Sequence, residues 1–241
     1  MQYHEVKINI QLAPSVKNTN TDTLTLQAYV DYVYLDADER RRFAQVSHEY
    51  LIQQLQFTGD ETVNISTSVA RSQNVRLNFN HPTKFLAWVF KGTEHGQYTG
   101  YPTTDYANVK TYAEAMAPLQ SAKLQLNGHD RFSERKGSYF NLVTPWQTLR
   151  AKTPAGIYLY SFSLKPDEHQ PSGSCNFSRI DNATLSITTK PASAAGTTIA
   201  NVTSEDATIA GVANLSALKI FAENYNVFRI MSGMGGLAYS N

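Results

Sequence analysis

A chain of 241 residues with 21 Lys plus Arg, 20 Asp plus Glu and a formal net charge of +1 is long enough to bury a substantial core. Its charge balance argues against a nucleic acid or an anionic membrane as a partner recognised by charge. Cys175 is the only cysteine, which excludes an intrachain disulfide and a zinc site built on several thiolates.

The chain opens on YHEVKINIQL (3–12), where Val6, Ile8, Ile10 and Leu12 alternate with polar residues, as in a half-buried strand. Ala13-Pro14 and SVKNTNTD interrupt that pattern and read as a linker. TLTLQAYVDYVYL (23–35) is rich in β-branched and aromatic residues and is expected to be a long strand. Asp36, Asp38 and Glu39 precede Arg40, Arg41 and Arg42; acid before base suits a short helix. Strand patterns return at 50–57, 62–69 and 74–79, with Gly59-Asp60 as an expected turn and His81-Pro82 as a break. KFLAWVF (84–90) is apolar enough for a central strand.

Residues 92–111 read as a long loop and 112–116 as a turn or two of helix. A strand at 122–128 ends at Asn127-Gly128, a strong hairpin signal. Residues 129–156 read mostly as loop, with Pro145 and Pro154 as breakers. Strands follow at 156–164, 182–189, 215–222 and 225–231, with a small-residue hairpin expected across 191–211. Many strands, long loops, little helix and no repeated βαβ unit predict an all-β antiparallel sandwich or barrel.

Chemistry is sparsely signalled. His4, His48, His81, His95, His129 and His169 are scattered, without compact ligand spacing. The neighbours His129-Asp130 and Glu168-His169 are weak signals, because adjacent strand residues point to opposite faces. Ser172-Gly173-Ser174-Cys175 lacks the nucleophile-elbow pattern, and Cys175 is expected to pack as a small hydrophobe. Gly233, Gly235 and Gly236 suit a tight turn better than a phosphate cradle. The sequons at Asn64, Asn176, Asn182, Asn201 and Asn214 are expected to be incidental without a secretory route. No apolar run reaches a spanning length of about 18 residues and no leader pattern opens the chain, so synthesis in a reducing cytosol is expected. No catalytic, cofactor-binding or metal site is assigned, and the chain is not expected to be an enzyme.

Five blocks carry a family resemblance: DYVYLDADERRRFAQVSHEYLIQQLQ (31–56), NFNHPTKFLAWVF (78–90), LNGHDRFSERKGSYFNLVTPWQ (126–147), GIYLYSFSLKPDEHQPSGSCNFSRIDNATL (156–185) and NYNVFRIMSGMGGLAYSN (224–241). Together they resemble the major capsid proteins of nucleocytoplasmic large DNA viruses, the iridovirus and algal-virus group. The resemblance implies two consecutive jelly rolls per polypeptide, trimeric capsomers of pseudo-hexagonal outline, and an icosahedral shell around double-stranded DNA. It places 23–241 as the second jelly-roll domain, 14–22 as a linker and 1–13 as a remnant strand of the first roll. Implied partners are copies of the chain, neighbouring capsomers, minor capsid and penton proteins, and proximity to an internal membrane, with no sequence-specific nucleic-acid binding. The implied location is the virion, after synthesis in host cytoplasm.

Arg40, Arg41, Arg42, Phe43, Trp88, Arg131, Arg135, Trp146 and Arg179 are expected to include core-framing and interface residues, because aromatic and Arg side chains anchor such contacts. The Tyr-rich loop with Tyr98, Tyr101, Tyr106 and Tyr112 suits a neighbour contact. The main alternative is a carbohydrate-binding jelly roll, which exposed aromatics at 98–112 would favour. A cupin-type enzyme would need convergent His or carboxylate ligands inside the barrel.

Overall fold

The computed structural model describes residues 5, 7–10, 26–64, 66, 69–92, 118–151, 153–154, 156–191 and 215–240. The expected linker at 14–22, the Tyr-rich loop, the helix at 112–116 and the small-residue hairpin therefore lie outside the described residues, save for Pro191. The chain divides into two compact units, Gln53–Asn226 and Met1–Ile52 with Val227–Ser240.

The strands are β1 (His48–Glu61), β2 (Arg71–Arg76), β3 (Pro82–Gly92), β4 (Leu119–Leu126), β5 (His129–Asp130), β6 (Arg135–Lys136), β7 (Ile157–Ser161), β8 (Cys175–Asn176), β9 (Ala183–Thr189), β10 (Leu215–Met231) and β11 (Met234–Leu237). They form two antiparallel sheets. One has the order β1-β10-β3-β7, with β8 on β3 and β11 on β10; the other has β2-β9-β4-β5, with β6 on β4. Early strands pair with later ones in a nested series, β1 with β10, β2 with β9, β3 with β7 and β4 with β5. That is a folded antiparallel ribbon, the wrapping of a jelly roll.

Within the Gln53–Asn226 unit the core follows from alternation. In β9, Ala183, Leu185, Ile187 and Thr189 are buried while their neighbours are half-exposed. They meet Val75 of β2, Ala122 and Leu124 of β4, and Leu86, Trp88 and Phe90 of β3, with Leu218, Ile220 and Ala222 of β10. Trp88 is 1 % exposed, as its central-strand position requires. Its ring lies 5.2 Å from Phe140 and 6.0 Å from Tyr158, and aromatic contacts continue through Phe132, Tyr160, Phe162 and Phe177 to Phe79. Cys175 packs half-buried against this core, and burial pushes its thiol pKa up, with Arg131 acting weakly the other way.

Several expectations are corrected. Gly59-Asp60 is no turn: β1 runs through it, with Gly59 taking φ 116° in open space. Residues 62–64 form no strand, and the expected 74–79 strand sits earlier, at Arg71–Arg76. The 215–222 and 225–231 segments are one strand, because a register shift at Glu223/Asn224 absorbs the polar interruption. The region 129–156 is not mostly loop. It holds β5, β6, a π-helical turn (Tyr139–Val143) and helix α2 (Thr144–Leu149), and Pro145 sits in the first turn, where its missing N–H costs no helical bond. Asn127 and Gly128 do form the hairpin turn, with φ of 52° and 80°.

The Met1–Ile52, Val227–Ser240 unit contains helix α1 (Ala37–Gln45), capped by Asp36, whose side chain accepts from Ala37 N at 2.7 Å. Acid at the start and Arg42 at the end suit its dipole. No residue of α1 is buried. Two expected strands do not appear here. Residues 5 and 7–10 carry no sheet pairing and Ile8 is 76 % exposed; residues 26–36 also lie outside both sheets and are exposed throughout. Propensity alone does not make a strand, since a ladder needs a partner edge. The unit's paired strands are the start of β1, the end of β10, and β11, in register from Phe228↔Leu237 to Met231↔Met234.

Candidate assembly surfaces

Among the described residues, no group of three or more His, Cys, Asp or Glu could hold a metal. The perturbed groups are structural in setting. Burial raises the Tyr158 phenol far above its usual value, and its oxygen accepts from Leu119 N at 3.2 Å, joining the two sheets. Tyr160 is raised chiefly by burial. Asp130 is lowered, first by the Gln125 amide at 2.7 Å and also by Lys123 at 3.3 Å. None of these pairs a nucleophile with a base, so the informative surfaces are outside the core.

The first is the outer face of the six-stranded sheet within the Gln53–Asn226 unit. The β3–β10 register passes from Glu223↔Phe85 to Asn224↔Thr83 and skips Lys84. This bulge lets a 1 %-exposed lysine reach Glu223 Oε1 at 3.1 Å. Oriented to suit its neighbours, the Gln53 amide donates to Glu223 at 3.0 Å and accepts from Lys84 Nζ at 2.9 Å. Tyr225 lies under the same ammonium, 5.4 Å away, and its phenol is raised by burial and then by the Glu223 charge. Further along, Phe57 stacks on Phe221 at 4.9 Å, and Lys219 covers Phe57 while pairing with Asp60 at 3.3 Å. Leu55 beside them is 64 % exposed. The charges on this face are paired among themselves, and apolar residues occupy the space between them.

The second is a helical corner spanning 137–149. A Cβ at Gly137 would collide with the Leu119 carbonyl oxygen, so only glycine allows the chain to enter this corner so close to β4. Buried Asn141 then clasps the far side: its amide donates to Thr153 Oγ1 at 3.1 Å, Pro154 O at 2.9 Å and Ile157 O at 2.8 Å. Thr153 Oγ1 returns a bond to Asn141 O at 2.8 Å. On this fixed scaffold Trp146 is 66 % exposed, beside exposed Val143. The third surface, in the other unit, is the β10–β11 hairpin, with exposed Met231, Met234, Leu237 and Tyr239. Arg229 there grips Glu49 through Nε at 2.8 Å and a terminal nitrogen at 2.7 Å.

The residues singled out from sequence therefore separate. Trp88 frames the core, whereas Trp146 faces solvent. Arg131 lies near Tyr160 and Cys175, and Arg135 sits over the Tyr139 ring at 5.5 Å. Arg40, Arg41, Arg42 and Arg179 are exposed, with Arg41 paired to Asp38 at 3.2 Å. Phe43 packs on His48 at 4.8 Å. Sequence reasoning missed Lys84, Glu223, Asn141 and Gly137. Lys84 sits at the edge of an apolar run and could have been flagged; the others gain meaning only from the register.

The model for the large eukaryotic DNA virus major capsid protein family matches residues 39–236. The chain belongs to that family. It is 53 % identical to the major capsid protein of Paramecium bursaria Chlorella virus 1, covering 100 % of this chain and 62 % of that protein. It is 45 % identical to that of Pyramimonas orientalis virus, covering 100 % of this chain and 56 % of that protein. It thus spans under two thirds of the length of these relatives. In three dimensions it is similar to the quasi-atomic model of the PBCV-1 virus capsid, with a TM-score of 0.76 and 57 % identity over 87 % of this chain and 56 % of that one. The nested two-sheet wrapping is therefore a jelly-roll-like viral capsid fold.

Proposed function

We propose that the chain forms the second jelly roll of a double jelly-roll major capsid protein, which self-assembles into trimeric capsomers of an icosahedral shell around double-stranded DNA. Residues 23–241 would carry that roll, 14–22 a linker and 1–13 a remnant strand of the first. The observation that carries this reading is the nested eight-strand pairing joined to a family match over 39–236. Relatives extend well beyond the matched region, which supports a further domain in the complete capsid polypeptide. The role is structural and not enzymatic: rigid sheets hold shape while exposed corners and faces grip neighbours.

On this reading the protein resides in the virion after synthesis in host cytoplasm. Its partners are other copies, adjacent capsomers, and minor capsid and penton proteins at shell edges, close to an internal membrane. Nucleic acid is enclosed without sequence-specific contact. The carbohydrate-binding alternative rested on the 98–112 loop, and no observation on the sandwich favours it.

Mass spectrometry of purified particles, with native mass measurement of the released capsomer, tests the proposal. Peptides from 53–226 should dominate the shell protein, and the capsomer mass should equal three polypeptides. Absence from particles, or a monomeric glycan-binding protein in solution, would reject it.

A further inference from the structure

Apolar surface is unevenly shared between the two compact units. Every buried apolar side chain among the described residues lies between Val63 and Tyr225, in the Gln53–Asn226 unit. The described residues of the other unit, Met1–Ile52 with Val227–Ser240, bury none, yet they include most of the large apolar side chains that stand exposed. Apolar surface on this scale, with no core beneath it, marks a surface made to be covered. Its densest stretch is LQAYVDYVYL (26–35), where Tyr29 is 91 %, Val33 85 % and Tyr34 90 % exposed and the backbone lies in neither sheet.

In strand alternation Tyr29, Val33 and Leu35 would share one face and Val30, Tyr32 and Tyr34 the other, with Asp31 the only charge. A run apolar on both faces suits a strand covered on both sides, inside a sheet and not at its rim. Chain order points the same way. The closing strand of the wrapping described above is β10, the longest of the set, and it lies inside its sheet between β1 and β3. Where two such rolls follow one another, the closing strand of the first comes just before the opening strand of the second. Residues 26–35 hold that place: the helix that separates them from β1 is α1, which buries no side chain. The match covers 62 % and 56 % of the two relatives, which leaves more than a third of each to hold the remaining strands of a first roll.

We propose that residues 26–35 are the closing strand of the first jelly roll, paired on both edges within a sheet that the rest of that roll supplies in the complete polypeptide, and that α1 connects the two rolls. The exposed tyrosines and valines are then core residues of that first roll and not a contact between capsomers. The inference rests on the double-roll reading above and refines one boundary in it, which moves from 14–22 to α1.

The test compares the chain alone with a complete polypeptide, the major capsid protein of Paramecium bursaria Chlorella virus 1 with its matched region replaced by this chain. Amide hydrogens of 26–35 should exchange at the unprotected rate in the lone chain and at least about 100-fold more slowly in the complete polypeptide, while those of 53–226 exchange alike in both. Proline removes a ladder donor, so Val33→Pro should lower the first unfolding midpoint of the complete polypeptide by more than about 5 °C and leave that of the lone chain unmoved. Val33→Ile, which keeps the donor and the β character, should move neither. Fast exchange of 26–35 in the complete polypeptide, or indifference of its midpoint to Val33→Pro, would overturn the inference. So would a complete polypeptide that fails to fold, since this chain then does not supply the strand. Protection of 26–35 in the lone chain that grows with concentration would overturn it too, by assigning the segment to a second copy. Particle composition is measured independently, so detecting the chain in virions while 26–35 stays unprotected would reject this strand and leave the capsid reading standing.

Discussion

Lys84 and Glu223 show how single residues shape a sheet that is apolar on its core face. A buried ammonium is tolerable only with its charge compensated and its hydrogens bonded, and here Glu223 and Gln53 do both. Removing the carboxylate leaves the cation stranded, whereas removing the cation leaves a carboxylate that water reaches. Glu223→Ala should therefore cost about 3–5 kcal/mol, clearly more than Lys84→Met, in urea unfolding of the two variants. Titratable groups of the core set a second expectation. Burial raises Tyr158 and Tyr160 above the ordinary phenol value of 10.0, and Cys175 above 9.0. The folded chain holds these protons more tightly, so their contribution is intact below the ordinary values. It is lost as pH rises past them and the unfolded chain ionises first. Unfolding midpoints should fall between pH 8.5 and about 11, and Tyr158→Phe should flatten that decline.

Elements here are decided by contacts more than by propensity. β3 is central because its apolar residues meet β10 on one edge and β7 on the other. The 26–35 segment has equally strong β character, yet it lies in neither sheet. The helical corner between β6 and β7 depends on one close approach. Gly137→Ala would drive a methyl into the Leu119 carbonyl, where backbone must move. A loss of about 1–3 kcal/mol is expected, with the damage localised to 137–157 by hydrogen exchange.

On the scale of the whole molecule, the stability of the sandwich should not depend on the exposed amino-terminal segment. The sandwich core draws on β2, β3, β4, β9 and β10, while residues 26–36 are exposed and α1 buries no side chain. Deleting residues 1–36 should leave the thermal midpoint of the sandwich within about 2 °C. A large drop in the midpoint would show that the segment supports the fold instead. The sequence by itself determined the β class, the central place of KFLAWVF, the Asn127-Gly128 hairpin and the family, since alternation, turn chemistry and long matching blocks are written residue by residue. Only the tertiary structure decided that β10 is unbroken, that a helical corner lies within 129–156, and that 26–36 stays outside the sheets. Those outcomes depend on register, on a methyl-sized gap and on which strands find a pairing partner, which are relations between distant residues that local order cannot encode.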